Sequence, residues 1–149
     1  MNNNDETTNV IISNHRKTIK KGEFSNKEQL LAVEMPESIT VIKEGAFGHC
    51  VNLATVKLSS SLKIIDPFAF ADCYKLKNIT LPEGLESIGD SAFFKCFELE
   101  DVVVPKNVKT IGEDAFGMCQ KLKRILIPKG CTVSENAFRE SDRCRIEYY

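Results

Sequence analysis

The 149-residue chain lacks a surplus of charge of either sign. Twenty Lys and Arg side chains against 21 Asp and Glu leave a net charge of −1. Nucleic-acid binders concentrate basic residues on one face, so a polyanion partner is not expected. No run approaches the roughly 18 apolar residues that a bilayer-crossing helix needs, and insertion into a membrane is not expected either. The N-terminus, from Met1 to Asn9, is polar and has no basic segment followed by an apolar one. It is therefore not a secretory signal. This favours a cytoplasmic location, with the cell surface or secretion left open if the chain is a fragment or a mature form. Histidine is scarce: only His15 and His49 occur, in neither case within a helical metal motif or beside a nucleophile. A Gly-rich phosphate loop, a Gly-x-Ser-x-Gly elbow and paired metal-ligand motifs are all missing. An enzyme is the least expected class, and no cofactor or metal is expected.

What the chain has is a period. Ile19, Ile42, Ile65, Ile88 and Ile111 are 23 residues apart, and Phe24, Phe47, Phe70, Phe93 and Phe116 keep the same step. Leu30, Leu53, Leu76, Leu99 and Leu122 form a third column, and Cys50, Cys73, Cys96 and Cys119 a fourth. A period of this length marks a solenoid, in which one coil cannot bury its apolar side alone and must stack on its neighbours. Residues 10–149 are expected to form a single solenoid of about five to six coils, after a disordered polar tail over residues 1–9.

Within a coil, as in residues 76–81, Ile79 and Leu81 alternate with a polar Thr80, the pattern of a half-buried strand. Proline at 36, 82, 105 and 128 ends this strand, with Ser59 in its place once. Pairs such as Leu85 with Ile88 predict a shorter second strand on the opposite wall, and Gly89 and Gly112 a tight bend after it. The Ala-Phe-x-x-Cys-x-x-Leu element puts apolar residues at i, i+1, i+4 and i+7, which predicts a short helical turn capped by Asp66-Pro67, Ser134-Glu135 or Gly112-Glu113-Asp114. The end coils depart from the pattern: Arg16 stands where Ile39 stands later, Cys131 takes the Leu85 position and Ser141 the cysteine position. Residues from Cys144 to Tyr149 read as a final edge strand.

These residues resemble the BspA-like branch of the leucine-rich-repeat superfamily, whose signature is similar to Leu-x-x-Ile-x-Ile-Pro-x-x-Val-x-x-Ile-Gly-x-x-Ala-Phe-x-x-Cys. The string is nearly intact at 76–96 and 99–119 and clear at 53–73 and 30–50. The resemblance implies an α/β repeat solenoid: a right-handed superhelix of 23-residue coils, each with a parallel strand, a short second strand and a short helical turn. It also implies a protein-binding module, and several members are adhesins on bacterial or protist surfaces.

Stacked in register, equivalent Cβ atoms of the cysteine column would lie about 4.8 Å apart, more than the roughly 3.8 Å of a disulfide. A ladder of buried free thiols is expected, with Cys131 and Cys144 outside the column and open to pairing. Glu44, Asp66, Asp90, Glu113 and Asp114 recur before the turns, where capping explains them more simply than calcium does. His15-Arg16-Lys17 with Lys20-Lys21 reads as a solvated first coil. Phe68, Tyr74, Phe94 and Phe97 fall near the turns, a place that favours partial core burial over partner contact.

The outward column of the main sheet runs Glu34, Lys57, Thr80, Val103, Leu126, polar at first and then apolar. An apolar patch with a charged rim suits a protein partner. The expected contacts are Lys57, Thr80, Val103 and Leu126, flanked by Asn78, Asp101 and Arg124, although Val103 and Leu126 could instead cover the C-terminal cap. Two alternatives stand beside this. One is self-association through the end strands, since unpaired edges template further strands; the other, implied by the resemblance alone, is a surface adhesin binding host or matrix proteins.

Overall fold

The computed structural model describes residues 8–149. The expected tail therefore lies mostly outside the described residues, and its last two members, Thr8 and Asn9, open the first strand. Each coil crosses two walls as strand. The main wall carries β1 (Thr8–Ile11), β3 (Leu30–Glu34), β5 (Thr55–Lys57), β8 (Asp101–Val103), β10 (Arg124–Ile127) and β12 (Arg145–Tyr148). The second wall carries two-residue strands: β2 (Thr18–Ile19), β4 (Val41–Ile42), β6 (Ile64–Ile65), β7 (Ser87–Ile88), β9 (Thr110–Ile111) and β11 (Thr132–Val133). Every strand pair is parallel, and the second wall is one unbroken sheet from β2 to β11.

The α/β class and the helical turns expected from the i, i+1, i+4, i+7 spacing are overturned: the fold is an all-β, all-parallel solenoid without a helix among the described residues. In the second coil the stretch 44–49 shows why. The N–H groups of Ala46, Gly48 and Cys50 donate to the carbonyls of Lys43, Gly45 and Phe47 at 3.0–3.2 Å, three residues back. Those of Gly45, Phe47 and His49 donate instead to Pro67, Ala69 and Ala71 of the following coil at 2.8–3.0 Å. An α-helix would turn every N–H back onto its own chain, leaving none to join the coils. Left-handed residues enforce the difference. Gly45 and His49, Phe68 and Asp72, Ser91 and Lys95, and Asp114 and Met118 all have φ between +52° and +61°, so a right-handed turn cannot persist beyond four residues.

The main wall divides. β1, β3 and β5 form one three-stranded sheet and β8, β10 and β12 another. Between them residues 77–81, expected to be a strand, keep the inward pair Ile79 and Leu81 buried but enter no ladder. Contact is kept on the second wall, where Ile64 and Ile65 of β6 pair with Ser87 and Ile88 of β7.

The columns become spines. Rings of Phe24, Phe47, Phe70, Phe93, Phe116 and Phe138 stack nearly parallel with centroids 5.2–5.8 Å apart. The four from Phe47 to Phe116 are fully buried, as are Leu53, Leu76, Leu99 and Leu122. Gly89 opens the expected bend, its carbonyl accepting the Ala92 N–H at 3.2 Å, and it also permits close approach: a Cβ there would lie 2.6 Å from the Pro67 nitrogen of the coil before it.

Candidate functional site

On the outward side of the main wall, ladder register brings the predicted contacts into two groups. In the C-terminal half Val103 pairs with Leu126 and Asp101 with Arg124, and Arg124 in turn with Arg145. Val103 is 55% exposed, while Leu126 is half-buried beside it. Asn78 and Thr80 lie exposed on the unladdered stretch, and with Asp101, Val103 and Pro105 they line a hollow of about 360 Å³. Lys57 stands apart, on the far side of the break. Its ammonium meets the Glu34 carboxylate at 2.8 Å, a hydrogen bond that pushes its pKa up. The expected continuous stripe is thus an apolar and polar patch from 78 to 126, plus a separate ion pair.

The four column cysteines are buried and free, and each thiol points at a carbonyl. Cys50, Cys73, Cys96 and Cys119 donate to Phe24, Phe47, Phe70 and Phe93 at 3.0–3.4 Å. In the last coil Ser141 donates to Phe116 at 2.7 Å and accepts from the Cys119 N–H at 2.9 Å. The column therefore selects a small hydrogen-bond donor, a role beyond that of small hydrophobe. Burial pushes Cys73 and Cys96 well above the ordinary thiol range and Cys119 up to about 12. Cys131 and Cys144 are free and half-buried, packed against the core, with Cys144 raised by burial to about 11.

Charged candidates are engaged structurally. Lys21 pairs with Glu44 at 2.9 Å, Lys43 with Asp66 at 3.4 Å, and Asp90 accepts the Glu113 N–H at 2.8 Å. Asp114 grips Arg139 through both oxygens, at 2.9 and 2.6 Å. Arg16 is half-buried and held by Glu23 at 2.6 Å, which closes the first coil and lowers the Glu23 pKa. Among the described residues no three His, Cys, Asp or Glu side chains gather to hold a metal ion, and no helix is long and apolar enough to cross a membrane.

A family model for the BspA type leucine-rich-repeat region, found in six copies, matches residues 2–123. The chain belongs to this family. The fold is shared with solved leucine-rich-repeat proteins. One from T. pallidum is 26% identical, with a TM-score of 0.86 over 97% of this chain and 70% of that one. Another, from Bacteroides ovatus, is 25% identical, with a TM-score of 0.77 over 95% of this chain and 45% of that one. A leucine-rich cell surface protein from Faecalibacterium prausnitzii is 28% identical, with a TM-score of 0.64 over 96% of this chain and 32% of that one. The chain thus spans less than half of the second and about a third of the third. A search of curated proteins finds no match.

The turn stretches such as 44–49 stack into a third side of the solenoid, the turn wall, and across its first four coils lies a further hollow. Gly22, Gly45, Gly48 and Ala71 form its floor, and Phe68 and Phe94 stand at its C-terminal side, enclosing about 430 Å³. The expectation of partial core burial for Phe68 and Phe94 divides: Phe94 is half-buried, but Phe68 is 48% exposed. Tyr74 and Phe97, also half-buried, stack on each other at 4.9 Å. The signal was present in the repeat, because Gly22, Gly45, Phe68, Ser91 and Asp114 occupy one column with very different side chains.

Proposed function

We propose that the chain is a non-catalytic protein-binding module whose partner sits on the outward face of the main wall. Leucine-rich-repeat solenoids present extended surfaces suited to such recognition. The observation that carries the reading is the Val103 and Leu126 pair, two apolar side chains in register on the solvent side of a sheet. Thr80 and Asn78 add hydrogen-bonding groups beside them and Asp101 with Arg124 a charged rim, while Lys57, paired with Glu34 beyond the break, stands outside the patch. Apolar centre and polar rim are the anatomy of a protein interface. The test is capture of the partner from the native source by wild-type protein and by the Val103→Asp, Leu126→Asp double variant. A folded double variant should lose the partner. Equal capture would move the site elsewhere.

A second reading, adhesion at a cell surface, draws on the likeness to the F. prausnitzii cell surface protein. Fractionation of the source cells tests it, and recovery solely from the soluble interior would sink it.

A further inference from the structure

Phe68 is held in a conformation that its type avoids. Its φ of +58° is left-handed, which costs a bulky L-residue about 1–3 kcal/mol, and nearly half of its surface faces solvent. Neither packing nor backbone geometry asks for a ring here: the same column holds glycine at 22 and 45 and serine at 91, with φ between +53° and +61° in all three. Among the described residues the ring is also without a stacking partner. Everywhere else on the turn wall that aromatic residues recur at the 23-residue step they stack, as in the run from Phe24 to Phe116. The columnar neighbours of Phe68 are Gly45 on one side and Ser91 on the other. A Cβ built on Gly45 would meet nothing within 4 Å, so the place one step before Phe68 is open space.

We propose that this hollow is a second binding site, separate from the sheet face, and that it takes an aromatic side chain presented by a protein partner. The incoming ring stacks on Phe68 above Gly45, in the place where the repeat would otherwise put a side chain. The rims fix the chemistry. Lys21 is neutralised by Glu44, and the His49 imidazole lies 3.4 Å from the Asp72 carboxylate, so each charged group on the edge faces a countercharge or a hydrogen-bonding partner. The floor of glycine and alanine offers flat, close contact, and the Ser25 hydroxyl beside it already donates to the Gly22 carbonyl at 2.9 Å. Such a surface favours a planar apolar group over a charged one. An aliphatic side chain would fill part of the volume and forgo the stack.

The eight glycines make the test direct, since their backbone amides are readily resolved by nuclear magnetic resonance. The probes are N-acetyl-tryptophanamide and N-acetyl-tyrosinamide, with N-acetyl-leucinamide as the aliphatic control. The aromatic amides should give saturable shifts at Gly45 and Gly48 and none at Gly130, and bind at least severalfold more tightly than leucinamide. Phe68→Gly restores the residue of the first two coils and suits the left-handed backbone, so it removes the ring without forcing a new conformation. Gly45→Asn fills the open place with a residue that tolerates positive φ. Either variant should weaken aromatic binding about tenfold or more while the Gly130 signal keeps its position. Three results would each overturn the proposal: no saturable shift at Gly45 and Gly48, equal affinity for leucinamide, or undiminished binding by Phe68→Gly. Concentration-dependent self-association that disappears in Phe68→Gly would make the occupant a second copy of this chain, and would overturn it too.

Discussion

The Ser141 hydroxyl donates to the Phe116 carbonyl at 2.7 Å, in the place where Cys119, one coil earlier, donates its thiol to Phe93 at 3.2 Å. Ser141 also accepts from the Cys119 N–H, so one small side chain satisfies two buried backbone groups. Ser141→Ala leaves both without a partner and should cost about 1–3 kcal/mol. Ser141→Cys keeps a donor of the type the other coils use and should cost less. Urea unfolding of the two variants checks the order, and equal losses would show that volume alone matters at this column.

The ring stack should be most sensitive at its middle. Phe70 is fully buried and stacked on both Phe47 and Phe93, so Phe70→Ala should lose about 3–5 kcal/mol. Phe138 is half-buried and stacks only on Phe116, and its replacement should cost less. The shift in denaturant midpoint measures both.

Residues 77–81 should be the most open part of the inner main wall. Their amides enter no ladder, whereas those of Val56, Val102 and Ile125 lie in paired strands. Native-state hydrogen exchange should be at least about tenfold faster at Ile79 and Leu81 than at those three residues. Comparable protection would mean that the main wall closes into one sheet in solution.

Alkaline pH should unfold the chain through its thiols. An ordinary thiol ionises near 9.0, whereas Cys73 and Cys96 lie well above that value and Cys119 at about 12, in each case chiefly through burial. Above pH 9 the unfolded chain sheds protons that the folded chain retains, so unfolding gains by mass action. The stabilisation is intact below about pH 9 and falls by about 1.4 kcal/mol per pH unit for each such thiol until the folded-state value is reached. Urea midpoints of wild type and Cys96→Ala across this range test the sign: the variant should show the shallower decline.

Much of this was legible in the sequence because a fixed step places like on like. The spines of Phe70, Leu76 and Ile88, the two walls and the free thiols all follow from residues 23 apart. The helical turn did not follow, because apolar residues at i, i+1, i+4 and i+7 also line the inside of a turn spiral that resets at a left-handed residue every fourth position. Nothing in His49, Phe68 or Met118 marks them as left-handed, since the neighbouring coil imposes that conformation through its carbonyls. The break in the main wall was equally hidden: Leu76, Ile79 and Leu81 keep the inward pattern whether or not their amides find partners. Of the expected contacts, Val103 and Leu126 are adjacent as their shared column requires, while Lys57 is parted from them by that break.

Alternate amides of the turn wall point along the long axis, so neighbouring coils are linked like rungs loaded in series. Pulled from its two ends, such a stack should peel one coil at a time from its extremities inward. Each release would free 23 residues, or roughly 76–83 Å of extended chain. A force trace would then read out the period as a regular sawtooth, and the count of teeth would report how many rungs the molecule holds.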